Sequence, residues 1–166
     1  MAEIQSLAPI AGPDARVLIL GSIPGVESLR KQQYYGNPRN QFWRIFYTIL
    51  DLPFEDDYPK RLDDARKSCI ALWDVIGQCY REGSLDSSIR REQPNDLAAF
   101  IKVHPQLKLI AFNGTKAYAT YQKYFGKHPL PGVSLLSLPS TSPTPGRYNK
   151  TFEEKLKCWK EIKEYL

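Results

Sequence analysis

Four short apolar runs, spread along the whole chain at residues 16–20, 70–73, 107–112 and 133–138, constrain the fold more than any other feature. The first, Arg16-Val17-Leu18-Ile19-Leu20, is halted by Gly21, and the second reads Ile70-Ala71-Leu72-Trp73. Runs of this length that are apolar nearly throughout read as strands buried on both faces. Between them lie stretches of helical spacing. Residues 38–50 place Phe42, Ile45, Phe46 and Ile49 on one face, with Asn37 expected as the N-cap and Pro38 at the first helical position. Residues 58–68 read as a charged helix, and Asn95 is expected to cap another over 96–103. Asn113-Gly114 leads into a helix through Tyr124, and Thr151 caps a last one with Phe152, Leu156, Trp159 and Ile162 on one face. The stretch through Gly77 and Gly83 reads as irregular.

Strands alternating with helices predict an α/β fold, a three-layer α/β/α sandwich around a central four-stranded parallel sheet. One domain is expected to span residues 1–166, a length that buries a sizeable core. In such folds ligands sit beyond the carboxyl ends of the strands. The loops after Leu20, Phe112 and Leu138 are therefore expected to meet.

Composition narrows the class. No segment approaches the ~18 uninterrupted apolar residues that span a membrane. The N-terminus lacks a basic start followed by an apolar run, so no signal peptide is expected. A cytoplasmic, nucleoid-associated monomer is the expectation. Cys69, Cys79 and Cys158 have neither the spacing of a zinc site nor the number for an iron–sulfur cluster or a disulfide framework. Neither a metal nor a cofactor is expected.

The net charge is +5, and the charges are segregated. Residues 97–152 contain no Asp or Glu but carry Lys102, Lys108, Lys116, Lys123, Lys127, Arg147 and Lys150. Residues 28–50 are likewise free of acids and hold Arg30, Lys31, Arg39 and Arg44. Such segregation suits a polyanion, whose phosphates supply much of the binding energy, but it equally describes a solvated basic surface. His104 and His128 each precede a proline at the expected end of a helix, where structural or surface roles are expected.

Three loops carry the candidate chemistry. Gly21-Ser22-Ile23-Pro24-Gly25 is a tight turn whose glycines let a ligand approach the backbone. Downstream, Tyr34-Tyr35 stands in a polar, basic segment that continues through Asn40-Gln41-Phe42-Trp43. An aromatic face beside basic residues is what stacking on an unpaired base requires, although packing against the following helix would also use it. The last loop, Leu138-Pro139-Ser140-Thr141-Ser142-Pro143, is stiff and rich in hydroxyls and leads to Arg147 and Tyr148. It suits contact with phosphates and pressure on a duplex.

Together these segments resemble the uracil-DNA glycosylase superfamily. Residues 21–43 are similar to its first motif, especially in the mismatch-specific branch, where a Gly-x-x-Pro-Gly turn precedes an aromatic and an (Asn/His)-Pro-x-Asn-x-Phe-Trp segment. Residues 138–143 are similar to its second motif. The combination with Trp73-Asp74-Val75-Ile76, Gly83-Ser84-Leu85-Asp86-Ser87 and Phe112-Asn113-Gly114 most resembles the hypoxanthine-DNA glycosylases, over nearly the whole chain.

Two departures from the uracil pattern matter. Ile23 stands where many members have an Asp or Asn that positions water, and Ser140 where the uracil-specific branch has a histidine. The resemblance shifts the catalytic role to Asn40. It also implies base contacts from Gly21, Ser22, Ile23, Pro24, Gly25, Tyr35 and Asn113, and DNA contacts from Ser140, Thr141, Ser142, Pro143, Arg147 and Tyr148. The implied activity is monofunctional hydrolysis of the N-glycosidic bond of a deaminated base, hypoxanthine first. The implied partner is double-stranded DNA carrying a damaged or mismatched base. Uracil or thymine in a mismatch is the alternative substrate, and damaged-DNA binding without catalysis is the alternative function. Asp74 and Asp86 are the carboxylates nearest the expected site, suited either to bracing loops or to activating water.

Overall fold

The computed structural model describes residues 2–126, 130–143 and 150–166. Its strands are β1 (Ala2–Gln5), β2 (Val17–Gly21), β3 (Ile70–Asp74), β4 (Ile76–Arg81), β5 (Arg90–Pro94), β6 (Leu109–Asn113) and β7 (Ser134–Leu138). Its helices are α1 (Val26–Lys31), α2 (Phe42–Ile49), α3 (Tyr58–Lys67), α4 (Leu97–Lys102), α5 (Thr115–Phe125) and α6 (Phe152–Trp159). The four apolar runs form one sheet in the order β3-β2-β6-β7, parallel throughout. None of the described helices is long and apolar enough to cross a membrane.

Side chains alternate across a strand, so each apolar run serves two cores. Val17, Ile19, Ile70, Leu72, Leu109 and Ala111 share a core with the α2 aromatics Phe42, Trp43 and Phe46, with Ala65 of α3 and with Trp159 of α6. Leu18, Leu20, Ala71, Ile110 and Phe112 meet Leu97 and Phe100 of α4 and Ala117 and Tyr121 of α5. Helices thus cover both faces, which is why the strands read as continuous apolar runs.

A second sheet, with the antiparallel order β1-β4-β5, occupies the stretch expected to be irregular. The reading misses it because β4 is Ile-Gly-Gln-Cys-Tyr-Arg, largely polar, and its partner β1 lies more than 70 positions earlier in the sequence. A single residue, Val75, separates β3 from β4, so the chain passes from one sheet to the other there. The Val75 N–H donates to the Gly21 carbonyl at 2.9 Å, and its carbonyl accepts from the Asn95 N–H at 2.8 Å. The second sheet therefore begins beside the carboxyl end of β2.

Helix starts differ from expectation in two places. Residues 37–40 form a turn, with the Arg39 N–H donating to Asn37 Oδ1 at 2.9 Å, and α2 begins only at Phe42 with Gln41 as its N-cap. Asn37 satisfies its own turn first, the usual competition between short polar side chains and a helix. At α4 the cap is Asp96, which accepts from the Ala99 N–H at 3.0 Å, because Asn95 Nδ2 is committed to the Asp74 carbonyl at 2.8 Å. Thr151 does cap α6, in a reciprocal capping box with Glu154.

Trp159 is fully buried, and its Nε1–H donates to the Pro139 carbonyl at 3.0 Å. Trp159→Ala is expected to cost about 3–5 kcal/mol, the range for deleting a buried large aromatic. Urea unfolding followed by circular dichroism measures it.

Candidate active site

The carboxyl ends of β2, β3, β6 and β7 open into one cleft of about 430 Å³, a volume suited to a single small-molecule-sized group. Gly21, Ser22, Ile23, Pro24, Gly25, Tyr35, Asn40, Asn113, Ser140, Thr141, Ser142 and Pro143 all border it, and so do Asp74, Ser84 and Asp86. Sequence positions up to 122 residues apart are thereby brought together, from Gly21 to Pro143. Arg147 and Tyr148 lie outside the described residues.

The turn at residues 21–25 is held from the side by β4 and the loop after it. Ser22 Oγ–H donates to Asp86 Oδ1 at 2.8 Å, and the Val26 N–H donates to Ser84 Oγ at 2.9 Å. Arg81, 1% exposed, donates from Nη2 to the Pro24 carbonyl at 2.6 Å. Sequence reasoning missed Arg81, since an arginine in a polar run carries no sign of burial. Ile23 borders the cleft, but its side chain packs with Ile76, Cys79 and Ile89 under the second sheet. The Ser22 and Ile23 N–H groups have no acceptor among the described residues.

The two tyrosines divide their labour. Tyr34 is buried and structural: its hydroxyl donates to the Ala8 carbonyl at 2.6 Å, and its own carbonyl accepts from Trp43 Nε1 at 3.0 Å. Tyr35 has a left-handed backbone, φ 55°, which costs a non-glycine residue about 1 kcal/mol or more and often marks a functional position. Its ring stacks on Phe42 at 4.1 Å between centroids, 24° from parallel. Its buried hydroxyl makes no hydrogen bond of good geometry among the described residues, although the Asn113 amide approaches it. Burial first, then the Asp74 charge, raises its pKa, with Asn113 acting the other way.

Asn40 lies just before α2 rather than within its first turn. Its Oδ1 accepts from the Phe42 N–H at 2.9 Å, which fixes the side chain at the cleft and leaves the amide N–H₂ and one oxygen lone pair for another group. Thr141, expected to meet DNA, is instead fully buried. Its hydroxyl accepts from Asn113 Nδ2 and its N–H donates to Asn113 Oδ1, both at 2.9 Å, while its carbonyl accepts from the Gln41 N–H at 3.0 Å. Asn113 spends both ends of its amide on this link. Ser140 is exposed, and its Cβ would lie 3.2 Å from a Cβ on Gly114, whose φ of +98° already favours glycine.

The basic residues are less free than their number implies. Lys116 and Lys123 both pair with Glu92, at 3.2 and 3.1 Å, and Arg30 pairs with Glu27 at 2.8 Å. Arg44 lies over the Phe152 ring at 4.3 Å. His104 bonds through Nδ1 to the Phe100 carbonyl at 2.7 Å and stacks on that residue's ring.

Residues 9–163 match the family model described as the uracil DNA glycosylase superfamily. A protein of Methanosarcina acetivorans named hypoxanthine DNA glycosylase is 41% identical over 141 residues, 84% of this chain and 87% of that protein. A Methanosarcina barkeri protein of the same name is 40% identical over 114 residues, covering 68% and 72% of the two chains. The fold is similar to the solution NMR structure of a Methanosarcina acetivorans protein described as a candidate uracil DNA glycosylase. The TM-score is 0.82 at 35% identity, covering 97% of this chain and 96% of that one.

At Gly21 a Cβ would stand 2.6 Å from Asp74 Oδ1 and 3.6 Å from the Tyr35 hydroxyl. Gly21→Ala is expected to cost about 1–3 kcal/mol through overpacking. A double-mutant cycle with Asp74→Ala, read by urea unfolding, should show that the penalty depends on the Asp74 carboxyl.

Proposed function

The chain belongs to the uracil DNA glycosylase superfamily and is a DNA glycosylase, and we propose that the base it releases is hypoxanthine, from deoxyinosine in duplex DNA, with the protein acting as a monomer. The observation that carries this reading is the exchange of polarity between two loops. Ile23 turns its side chain into an apolar cluster, while Asn40 borders the cleft with hydrogen-bonding capacity to spare. The names of the two Methanosarcina relatives support the choice of base.

A base inside a duplex cannot reach this cleft, so the nucleotide is extruded, at a cost of a few kcal/mol that is smaller where pairing is already poor. Tyr35, backed by Phe42, supplies a rigid ring for the extruded base to stack on. The unbonded Ser22 and Ile23 N–H groups face negative charge that builds on the departing base, as preorganised donors do in an oxyanion hole. Ser140, Ser142 and Pro143, with Arg147 and Tyr148 beyond, would contact the DNA itself.

Glycosidic hydrolysis passes through an oxocarbenium-like sugar. Such a carbon is already electrophilic, so the water needs placement more than deprotonation. Asn40 can accept from that water through the free lone pair on Oδ1 while the Phe42 N–H holds the amide still.

A duplex carrying one deoxyinosine should release free hypoxanthine and break at that site after alkali. Cleavage of G·U or G·T duplexes with deoxyinosine left intact would reassign the substrate to a mismatched pyrimidine. Asn40→Ala should slow release by on the order of 100-fold, the scale of losing a positioned reactant, with gel-shift binding of the duplex unchanged. Full activity in that variant would overturn the role given to Asn40.

A further inference from the structure

Two residues that border the cleft each carry a buried polar atom with no hydrogen bond of good geometry among the described residues, the Tyr35 hydroxyl and Asp74 Oδ2. They converge on one place. A Cβ on Gly21 would meet Asp74 Oδ1 at 2.6 Å and the Tyr35 hydroxyl at 3.6 Å, so both side chains approach the bare backbone of Gly21, which itself borders the cleft. Buried polar groups are normally satisfied, and a pair left open in a pocket points to a partner supplied by the ligand.

Asp74 differs from the other carboxylates around the cleft. Asp86 already accepts from Ser22 Oγ–H, and Glu27 pairs with Arg30. Asp74 forms no ion pair among the described residues, and Arg81, a cation whose charge acts on it, gives its Nη2 to the Pro24 carbonyl. An ionised carboxylate with a buried, unpaired oxygen is costly, whereas the neutral acid is not.

From this geometry we propose that Asp74 is the general acid of base release: its carboxyl hydrogen-bonds the extruded purine and hands it a proton as the C1′–N9 bond breaks. The proposal rests on the hypoxanthine reading given above. Proton transfer to ring nitrogen N7 as the bond breaks lets the purine leave neutral, so the Ser22 and Ile23 N–H groups meet only the partial charge that develops on it during the step. The C1′–N9 electron pair goes to the base, water adds to C1′ and sheds a proton to solvent, and solvent reprotonates the Asp74 carboxylate.

The surroundings keep the proton available near neutrality. Burial above all, with Asp86 adding, raises the Asp74 pKa to about 7, against the opposing pull of Arg81. The titratable groups facing it are Asp86 from the 3₁₀ turn at Asp86–Ser88, Arg81 from β4, and Tyr34 and Tyr35 from the segment before α2. An acid whose pKa lies near the working pH is the efficient one for proton transfer.

The test is single-turnover release of hypoxanthine at saturating enzyme, from about pH 5.5 to about pH 9, for the natural protein and for Asp74→Asn. The natural protein should lose about tenfold or more of its rate as pH rises, with a midpoint near the Asp74 value of about 7. Asp74→Asn keeps the shape and a hydrogen bond but has no proton to transfer. It should be on the order of 100-fold slower at the acid end and flat with pH, while binding the duplex as before. A natural rate that is flat or rises through neutrality overturns the proposal, and so does a variant with the natural rate and profile. If Asp74→Asn fails to fold, the profile of the natural protein decides alone. Release of a different base with the same falling profile would replace the substrate and keep the acid.

Discussion

The cleft depends on how closely the ends of β6 and β7 and the start of α2 are drawn together, and Thr141 sets that distance. Its hydroxyl and N–H close a two-bond link to the Asn113 amide at the end of β6, and its carbonyl takes the Gln41 N–H at the start of α2. Leaving one such buried group unpaired costs about 1–3 kcal/mol, so the three bonds hold or fail together. Lys155 of α6 adds a fourth tie, donating to Gln41 Oε1 at 2.9 Å. Asn40 precedes Gln41 directly and inherits this position. For the water-placing role proposed for Asn40, an amide held by its neighbour's backbone and by a buried threonine needs little rearrangement when substrate arrives.

The same sheet ends hold a deliberate instability. Asp74 carries a folded-state pKa of about 7 against an ordinary 3.8. The folded protein therefore binds the extra proton between those values, and stability falls as pH rises through that window, by on the order of a few kcal/mol once the carboxyl is ionised. The left-handed Tyr35 backbone adds a smaller strain nearby. Both features sit where a ligand's groups could relieve them, and the buttress of Arg81 from β4 with Ser84 and Asp86 from the connection to β5 keeps the turn from relaxing around them.

The parallel sheet was legible because β2, β3 and β6 are buried on both faces and nearly all apolar, while the edge strand β7, with two serines and mostly exposed, still keeps an apolar run. The convergence of the three loops followed from strand direction alone. The second sheet was not legible, since the polar strand β4 acquires its order from β1, about 75 positions away in sequence, and periodicity sees only near neighbours. Helix starts failed where a polar residue had a better local use: Asn37 in its own turn and Asn95 on Asp74. Thr141 and Ser140 looked alike as loop hydroxyls, yet one is buried and the other exposed. Only the fold separates them. Asp74 was visible as a carboxylate near the site, but its burial, and hence its charge state, comes from packing.

A crystal structure of the protein on duplex DNA carrying a hydrolysis-resistant 2′-fluoro deoxyinosine would test the arrangement most directly. The hypoxanthine should lie in the cleft against the Tyr35 ring, with the Asp74 carboxyl on its purine edge and a water held between Asn40 and C1′. A base lodged elsewhere, or one in the cleft with its water held by another side chain and Asn40 turned away, would contradict it.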